Sequence, residues 1–142
     1  MIVDNVVARV SKVTSGAAAI QVRAFGRLHL GFLDPSASLG RAFGSLGVAI
    51  DGFETVVQVS CSQRDEFTAN KCDPNAVASL LRVRSIIEIL RLATRRPDAL
   101  RVHIDRSLPI HCGLGSGTQL AMSVGRAFSA MLGLGLPSSE IA

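Results

Sequence analysis

Residues 100–132 read LRVHIDRSLPIHCGLGSGTQLAMSVGRAFSAML and combine three patterns that together indicate the fold. Apolar and polar residues alternate over Leu100–Asp105, which predicts a strand with one buried face. A glycine-rich loop follows Pro109, and over Gln119–Leu132 apolar residues recur at helical spacing. Arg126 is the single charged residue of that helix, so we expect the helix to be buried nearly all round.

The loop between the strand and the helix has the composition of an anion-binding loop. Glycine lets an anion approach the backbone with no Cβ atom in the way, and exposed amides at a helix start attract phosphate. No lysine follows the glycines, as a Walker A loop would require, and the glycine spacing does not fit the dinucleotide fingerprint. A structural loop that only permits close packing of helix on strand is the alternative. The predicted phosphate-binding residues of this loop are Gly113, Leu114, Gly115, Ser116, Gly117 and Thr118.

Upstream of this stretch the sequence predicts strands first and a helix after them. Ile20–Leu30 alternates, with Ile20, Val22, Ala24, Leu28 and Leu30 on the apolar face. After a loop at 33–47, we expect a strand pair at Gly47–Ile50 and Glu54–Ser60, joined by a turn at Asp51-Gly52. A helix is expected from Pro74 or Asn75 to about Arg95, with Arg82, Arg84, Glu88 and Arg91 on its polar side. The fold class is therefore α+β, an antiparallel or mixed sheet with the helices on one face.

Composition narrows the functional classes. The 142 residues are 48% apolar and 18% charged, which suits one folded domain and excludes disorder. No apolar run is long enough to cross a bilayer, and we expect no secretory leader, because no basic segment precedes an apolar block at the N-terminus. The three cysteines are irregularly spaced, so we expect free thiols in the cytoplasm and no zinc site. The net charge is +4, but tryptophan, tyrosine and basic runs are absent, which favours small anionic ligands over nucleic acid.

The glycine loop resembles a family motif. Pro109-x-x-x-Gly113-Leu114-Gly115-Ser116 is similar to the phosphate loop P-x-x-x-G-L-G-S-S of the GHMP kinase superfamily, with Gly117 in place of the second serine. Together with Gly26-Arg27-Leu28-His29-Leu30 and the glycine- and arginine-containing stretch 39–47, the run resembles the β-ribofuranosylaminobenzene 5′-phosphate synthase family. The resemblance covers residues 20–142, and it implies that His111, which matches the pattern of this family, also binds phosphate.

This resemblance implies both a fold and a reaction. The fold would be a ribosomal-protein-like N-terminal domain with a left-handed βαβ crossover. The reaction would join phosphoribosyl diphosphate to 4-aminobenzoate or 4-hydroxybenzoate, releasing CO2 and diphosphate, in methanopterin biosynthesis. An ATP-dependent small-molecule kinase of the same superfamily and a non-catalytic, self-associating fragment are the alternatives.

The resemblance also suggests catalytic residues on the first predicted strand. Arg27 and His29 lie two residues apart, so they share the polar face of that strand. Arg27 would bind the aromatic carboxylate, and His29 would transfer a proton. Asp34 is the third catalytic candidate, with a simple turn at Asp34-Pro35 as its alternative, and Arg41 is a substrate-binding candidate. Mg²⁺ would accompany the diphosphate.

The resemblance finally implies a partial protein. We expect residues 1–142 to form a single N-terminal domain without the C-terminal domain of the family, and to be inactive as a synthase alone. The apolar fraction is high for one small fold. Exposed apolar patches usually find a partner, and a homodimer is the commonest outcome, so we expect a homodimer.

Overall fold

A computed structural model of the chain describes residues 8–13, 18–33, 36, 38 and 44–141. Its strands are β1 (Ala8–Val13), β2 (Ala19–Leu33), β3 (Gly44–Cys61), β4 (Glu66–Ala69) and β5 (Leu100–Arg106). Its helices are α1 (Pro74–Ala78), α2 (Leu80–Thr94), α3 (Ser116–Met131) and α4 (Ser138–Ile141). The strands form one sheet in the order β1-β2-β3-β5-β4, antiparallel except for the parallel pair β4–β5. The predicted α+β class with a mixed sheet is confirmed.

The helices pack on one face of this sheet and enclose the core. The buried side chains of α2 are Val83, Ile87 and Leu90, at the helical spacing that places them on one side. They meet alternate residues of the central strands, such as Val57 and Val59 of β3. α3 is buried over most of its surface, as its single charge predicts. None of the helices in the described ranges is both long and apolar enough to span a bilayer.

The predicted hairpin at Asp51-Gly52 is wrong. Gly47–Ile50 and Glu54–Ser60 both belong to β3 and pair with the same neighbour, β2. Ile50 pairs with Gly26 and Glu54 with Phe25, so residues 51–53 form a bulge. Asp51 and Gly52 nevertheless have the local geometry of a turn. Gly52 has φ +82°, and its amide donates a hydrogen bond to Oδ1 of Asp51 at 2.9 Å. The residues on both sides of the bulge pair with β2, so they cannot pair with each other as a hairpin would require.

The predicted apolar face of β2 also needs correction. Ile20, Val22 and Ala24 are buried, but Leu28 and Leu30 are 46% and 54% exposed. The change follows the irregularity between Phe25 and Gly26, beyond which the β2–β3 pair leaves the core. This pair also replaces part of the predicted loop at 33–47, since β2 runs to Leu33 and β3 begins at Gly44.

The helix predicted from Pro74 is interrupted at Ser79, which separates α1 from α2. Asp73 caps α1 by accepting a hydrogen bond from the amide of Asn75 at 2.9 Å. Its second oxygen accepts from the amide of Ser107 at 3.0 Å, directly after β5. The hydroxyl of Ser79 lies 3.0 Å from that of Ser107, and both side chains are buried. These bonds fasten the start of the glycine loop to the two helices.

β4, the helices α1 and α2, and β5 form a βαβ unit, because β4 and β5 are parallel neighbours. The left-handed sense of this crossover stays a prediction.

Asp65 joins α2 to the start of β5. Its carboxylate accepts hydrogen bonds from Nη1 and Nη2 of Arg91 at 2.8 and 2.6 Å, and from the amide of Leu100 at 3.1 Å. The hydrogen bonds from the Arg91 guanidinium hold the pKa of Asp65 below its ordinary value.

Asp65→Asn should lower the free energy of unfolding at neutral pH by about 1 kcal/mol, a value discounted for solvent screening because the side chain is 39% exposed. The folded-state pKa lies below the unfolded value of about 3.9, so the stabilisation is present above that pH. It is lost as the pH falls through the folded-state pKa. Urea denaturation curves of wild type and variant should therefore converge in acid. Asp105→Asn is the matched control, since Asp105 lies 4.0 Å from its ion-pair partner, Arg106. Equal effects of the two changes would contradict the prediction.

Candidate functional site

The loop between β5 and α3 places alternate residues in the left-handed region of backbone conformation. The φ angles are 63° at His111, 72° at Gly113 and 69° at Gly115. Backbone that alternates between right- and left-handed conformations directs successive amides into one concavity suited to an anion. Glycine adopts positive φ without cost, whereas His111 does so at some conformational expense, which is common at binding sites.

The loop leads directly into the positive end of α3. Gly115 is the N-cap residue, and its carbonyl accepts the first helical hydrogen bond, from the amide of Gln119 at 2.9 Å. The amides of Ser116, Gly117 and Thr118 precede that bond, so they have no partner within the helix. No side chain caps this end and no acidic residue lies in the first turn. The amides and the helix dipole therefore favour an anion here.

β2 holds the loop from the other side. The amide of Arg27 donates a hydrogen bond to the carbonyl of Leu114 at 3.0 Å. This contact lies next to buried Gly26, where an added Cβ would be 3.3 Å from Cδ2 of Leu108 and 3.3 Å from the carbonyl oxygen of Phe53. The absence of a side chain at Gly26 thus lets β2 approach the segment that leads into the loop.

A cavity of about 510 Å³ opens over the loop and the first turns of α3. No carboxylate is among the described residues that line it, so its electrostatics favour negative ligands. The lining residues are Arg82, Ile110, His111, Gly113, Gly115, Ser116, Gly117, Thr118, Ala121 and Met122.

The predicted site residues fall into three groups, of which the structure describes two. All predicted loop residues line the cavity except Leu114, which contributes its carbonyl to the bond with Arg27. Arg27 is half-buried and His29 is exposed on β2, and neither lines the cavity. A Cβ built on Gly47 would lie 4.0 Å from Nε of Arg27, so the Arg27 side chain lies alongside β3. Asp34 and Arg41 lie outside the described residues.

Sequence reasoning assigned Arg82 only to the polar side of a helix, whereas the structure places it in the cavity. Arg82 occupies the first turn of α2, where the helix dipole disfavours a cation. No carboxylate stands three or four residues from it in the sequence to compensate. No local pattern in the sequence points to this role, because the helix predicted from Pro74 places Arg82 in its interior and not in a first turn.

The cavity gives little support for a resident metal ion. Mg²⁺ in proteins is typically held by one or two carboxylates together with substrate phosphates. The hydroxyls of Ser116 and Thr118 are the only oxygen-bearing side chains among its described lining residues. Across the described ranges, no three histidine, cysteine, aspartate or glutamate side chains come together as a metal site.

Comparison with known proteins finds that the chain is similar to one family and to two curated relatives. Residues 80–142 match the family described as GHMP kinases N terminal domain. The chain is 30% identical over 123 residues to the β-ribofuranosylphenol 5′-phosphate synthase of Archaeoglobus fulgidus, covering 87% of this chain and 37% of the relative. It is 29% identical over 110 residues to the Methanocaldococcus jannaschii synthase of the same name, covering 72% and 33%. The chain thus spans about a third of the length of these relatives.

Solved structures share the fold. The mevalonate kinase of Methanococcus jannaschii superposes with a TM-score of 0.63 at 18% identity, covering 91% of this chain and 44% of that one. The homoserine kinase of Cytophaga hutchinsonii gives a TM-score of 0.62 at 18% identity, covering 91% and 40%. The resemblance inferred from the loop motif is confirmed.

Proposed function

We propose that this chain supplies the phosphate-binding part of a β-ribofuranosylphenol 5′-phosphate synthase. Its residues 80–142 match the family described as GHMP kinases N terminal domain, it shares the fold of a solved kinase of that superfamily, and most of its length is similar to such synthases. The whole enzyme would join phosphoribosyl diphosphate to a 4-substituted benzoate, in methanopterin biosynthesis. The relatives' name contains a phenol, which favours 4-hydroxybenzoate over 4-aminobenzoate as the aromatic substrate.

The observation that carries the proposal is the amide-lined end of α3. The amides of residues 116–118 and the left-handed turns at Gly113 and Gly115 face a cavity whose described lining contains no carboxylate. Such an end binds phosphate through backbone donors and the helix dipole, with no need for a lysine. Phosphoribosyl diphosphate carries phosphate groups at both ends, so either group would suit this position.

The proposed reaction balances without a further reactant. The ring carbon that bears the carboxylate forms a bond to the anomeric carbon of the ribose, and diphosphate leaves with the electron pair of the broken C–O bond. The bond from the ring to the carboxylate then breaks, CO2 departs, and its electron pair restores the aromatic ring. The loop amides would orient the phosphoribosyl group and stabilise charge on the departing oxygens.

The remaining assignments belong to the same proposal. Arg27 would bind the carboxylate, and His29 would exchange a proton with the hydroxyl opposite it. Asp34 would assist at the metal and Arg41 at the substrate. Mg²⁺ would enter with the diphosphate and offset its charge. A homodimer is the proposed assembly, since Leu81, Ile89 and Leu92 of α2 are exposed apolar side chains.

Titration with phosphoribosyl diphosphate, followed by NMR of backbone amides, tests the proposal. Amides from Gly113 to Thr118 should shift, because they lie where the anion would bind. Gly133 and Gly135 provide an internal control: they also have positive φ, but they follow the other end of α3. Shifts elsewhere with Gly113–Thr118 unchanged would overturn the proposal. Tighter binding of ATP in a parallel titration would support the kinase alternative instead.

A further inference from the structure

The side chain of Arg82 lies against the backbone of Gly117, in the first turn of α3. A Cβ atom built on Gly117 would lie 3.0 Å from Nη2, 3.3 Å from Cζ and 3.4 Å from Nη1 of Arg82. These similar distances mean that the guanidinium presents its flat face to Gly117. A side chain at position 117 would displace the guanidinium, so the glycine is what allows Arg82 to take this position beside the loop amides.

The electrostatic environment disfavours a positive charge at the position of the Arg82 guanidinium. Arg82 is in the first turn of α2 and touches the first turn of α3, so it lies near the positive ends of two helices. Neither helix has an acidic residue in its first turn. Over the ranges that the structure describes, Arg82 forms no ion pair with a carboxylate. A bound anion would offset both the guanidinium charge and the two helix dipoles.

We propose that Arg82 is an anion-binding residue of the glycine-loop cavity, which donates to a phosphoryl group that the loop amides also hold. This inference rests on the proposed function, because it names a further residue of the same site. A guanidinium offers two parallel N–H donors that match two phosphoryl oxygens. Gly117 contributes to this site in two ways: its backbone amide would donate to the anion, and its missing side chain leaves room for the Arg82 guanidinium.

Isothermal titration of the 142-residue chain with inorganic diphosphate tests the role of Arg82. Arg82→Gln should weaken binding at least about tenfold, since hydrogen bonds between charged partners are lost. Arg84→Gln is the matched control: it removes the same charge from α2, but Arg84 lies 5.1 Å from the ring centre of Phe67 and does not line the cavity. That control should stay within about twofold of wild type, because distant exposed charges are screened.

Gly117→Ala tests how Arg82 reaches the site. Alanine keeps the amide and suits a helix better than glycine, so thermal stability should not fall. The new Cβ should displace the guanidinium and weaken diphosphate binding about fivefold in the wild-type background, yet change nothing when combined with Arg82→Gln.

The outcomes separate the two proposals. Failure of the wild-type chain to bind diphosphate would overturn the proposed function and this inference with it. Diphosphate binding that Arg82→Gln leaves unchanged would overturn this inference alone. An equal loss from Gly117→Ala in both backgrounds would show that Gly117 acts without Arg82, and would overturn the proposed coupling.

Discussion

Replacing Gly115 by valine should abolish most of the affinity of the cavity for phosphate ligands. An added Cβ at this residue meets no atom within 4 Å, and Gly115 lines the cavity, so the new side chain would occupy space needed by the anion. Losing two amide hydrogen bonds to a charged ligand costs about 1.5–3 kcal/mol each, or at least about a hundredfold in affinity. Titration of the variant with phosphoribosyl diphosphate measures the loss.

The same substitution also strains the backbone, and a second variant separates strain from obstruction. Gly115 has φ +69°, a conformation that costs a branched residue about 1–3 kcal/mol. Gly133 has φ +64°, lies beyond the C-terminal end of α3 and has equally open space around it. Gly133→Val should therefore lose similar stability but keep its affinity. Wild-type affinity in Gly115→Val would show that the anion binds elsewhere.

Among the residues that the structure describes, Phe128 is the one whose truncation to alanine should cause the largest loss of stability. Phe128 is part of α3, and by residue volume it is the largest of the fully buried side chains in the part of the chain that the structure describes. Truncating a buried phenylalanine costs about 3–5 kcal/mol, because apolar contacts are lost and a cavity remains. The free energy of unfolding of a domain is typically about 5–15 kcal/mol, so this one change removes a large share of it.

Urea denaturation of Phe128→Ala, with Leu92→Ala as the control, measures that loss. Leu92 is 81% exposed on α2, so its truncation should alter the free energy of unfolding by no more than about 0.5 kcal/mol. A loss below about 1 kcal/mol at Phe128 would mean that α3 is not anchored by its core face.

The sequence alone was sufficient for the features that depend on near neighbours. Alternation predicted β5, helical spacing predicted a helix over the residues of α2, and the low charge of α3 predicted its burial. The glycine loop was also visible, because its composition, its position before a helix and its motif are all local properties. Seven residues were predicted to bind phosphate, and six of them line one cavity.

The sequence alone did not predict which strands pair with each other. β1 and β4 were not predicted, since a short strand such as β4 carries too few residues to display a period. Asp51-Gly52 has the composition of a hairpin turn, yet the residues before and after it both pair with β2. Whether a turn dipeptide closes a hairpin or forms a bulge depends on which strand lies alongside, and that strand is remote in the sequence.

The cation of the site was likewise decided by tertiary structure. Arg82 has the appearance of an ordinary polar residue on an amphipathic helix, and only the packing of α2 beside α3 brings its guanidinium to Gly117. The hydrogen bond from Arg27 to Leu114 similarly requires β2 and the loop to meet across the fold. Backbone conformation follows from residues close in the chain, so the sequence determined the amide-lined loop. The charge beside that loop comes from a distant segment, and only the packing of helices and strands could place it there.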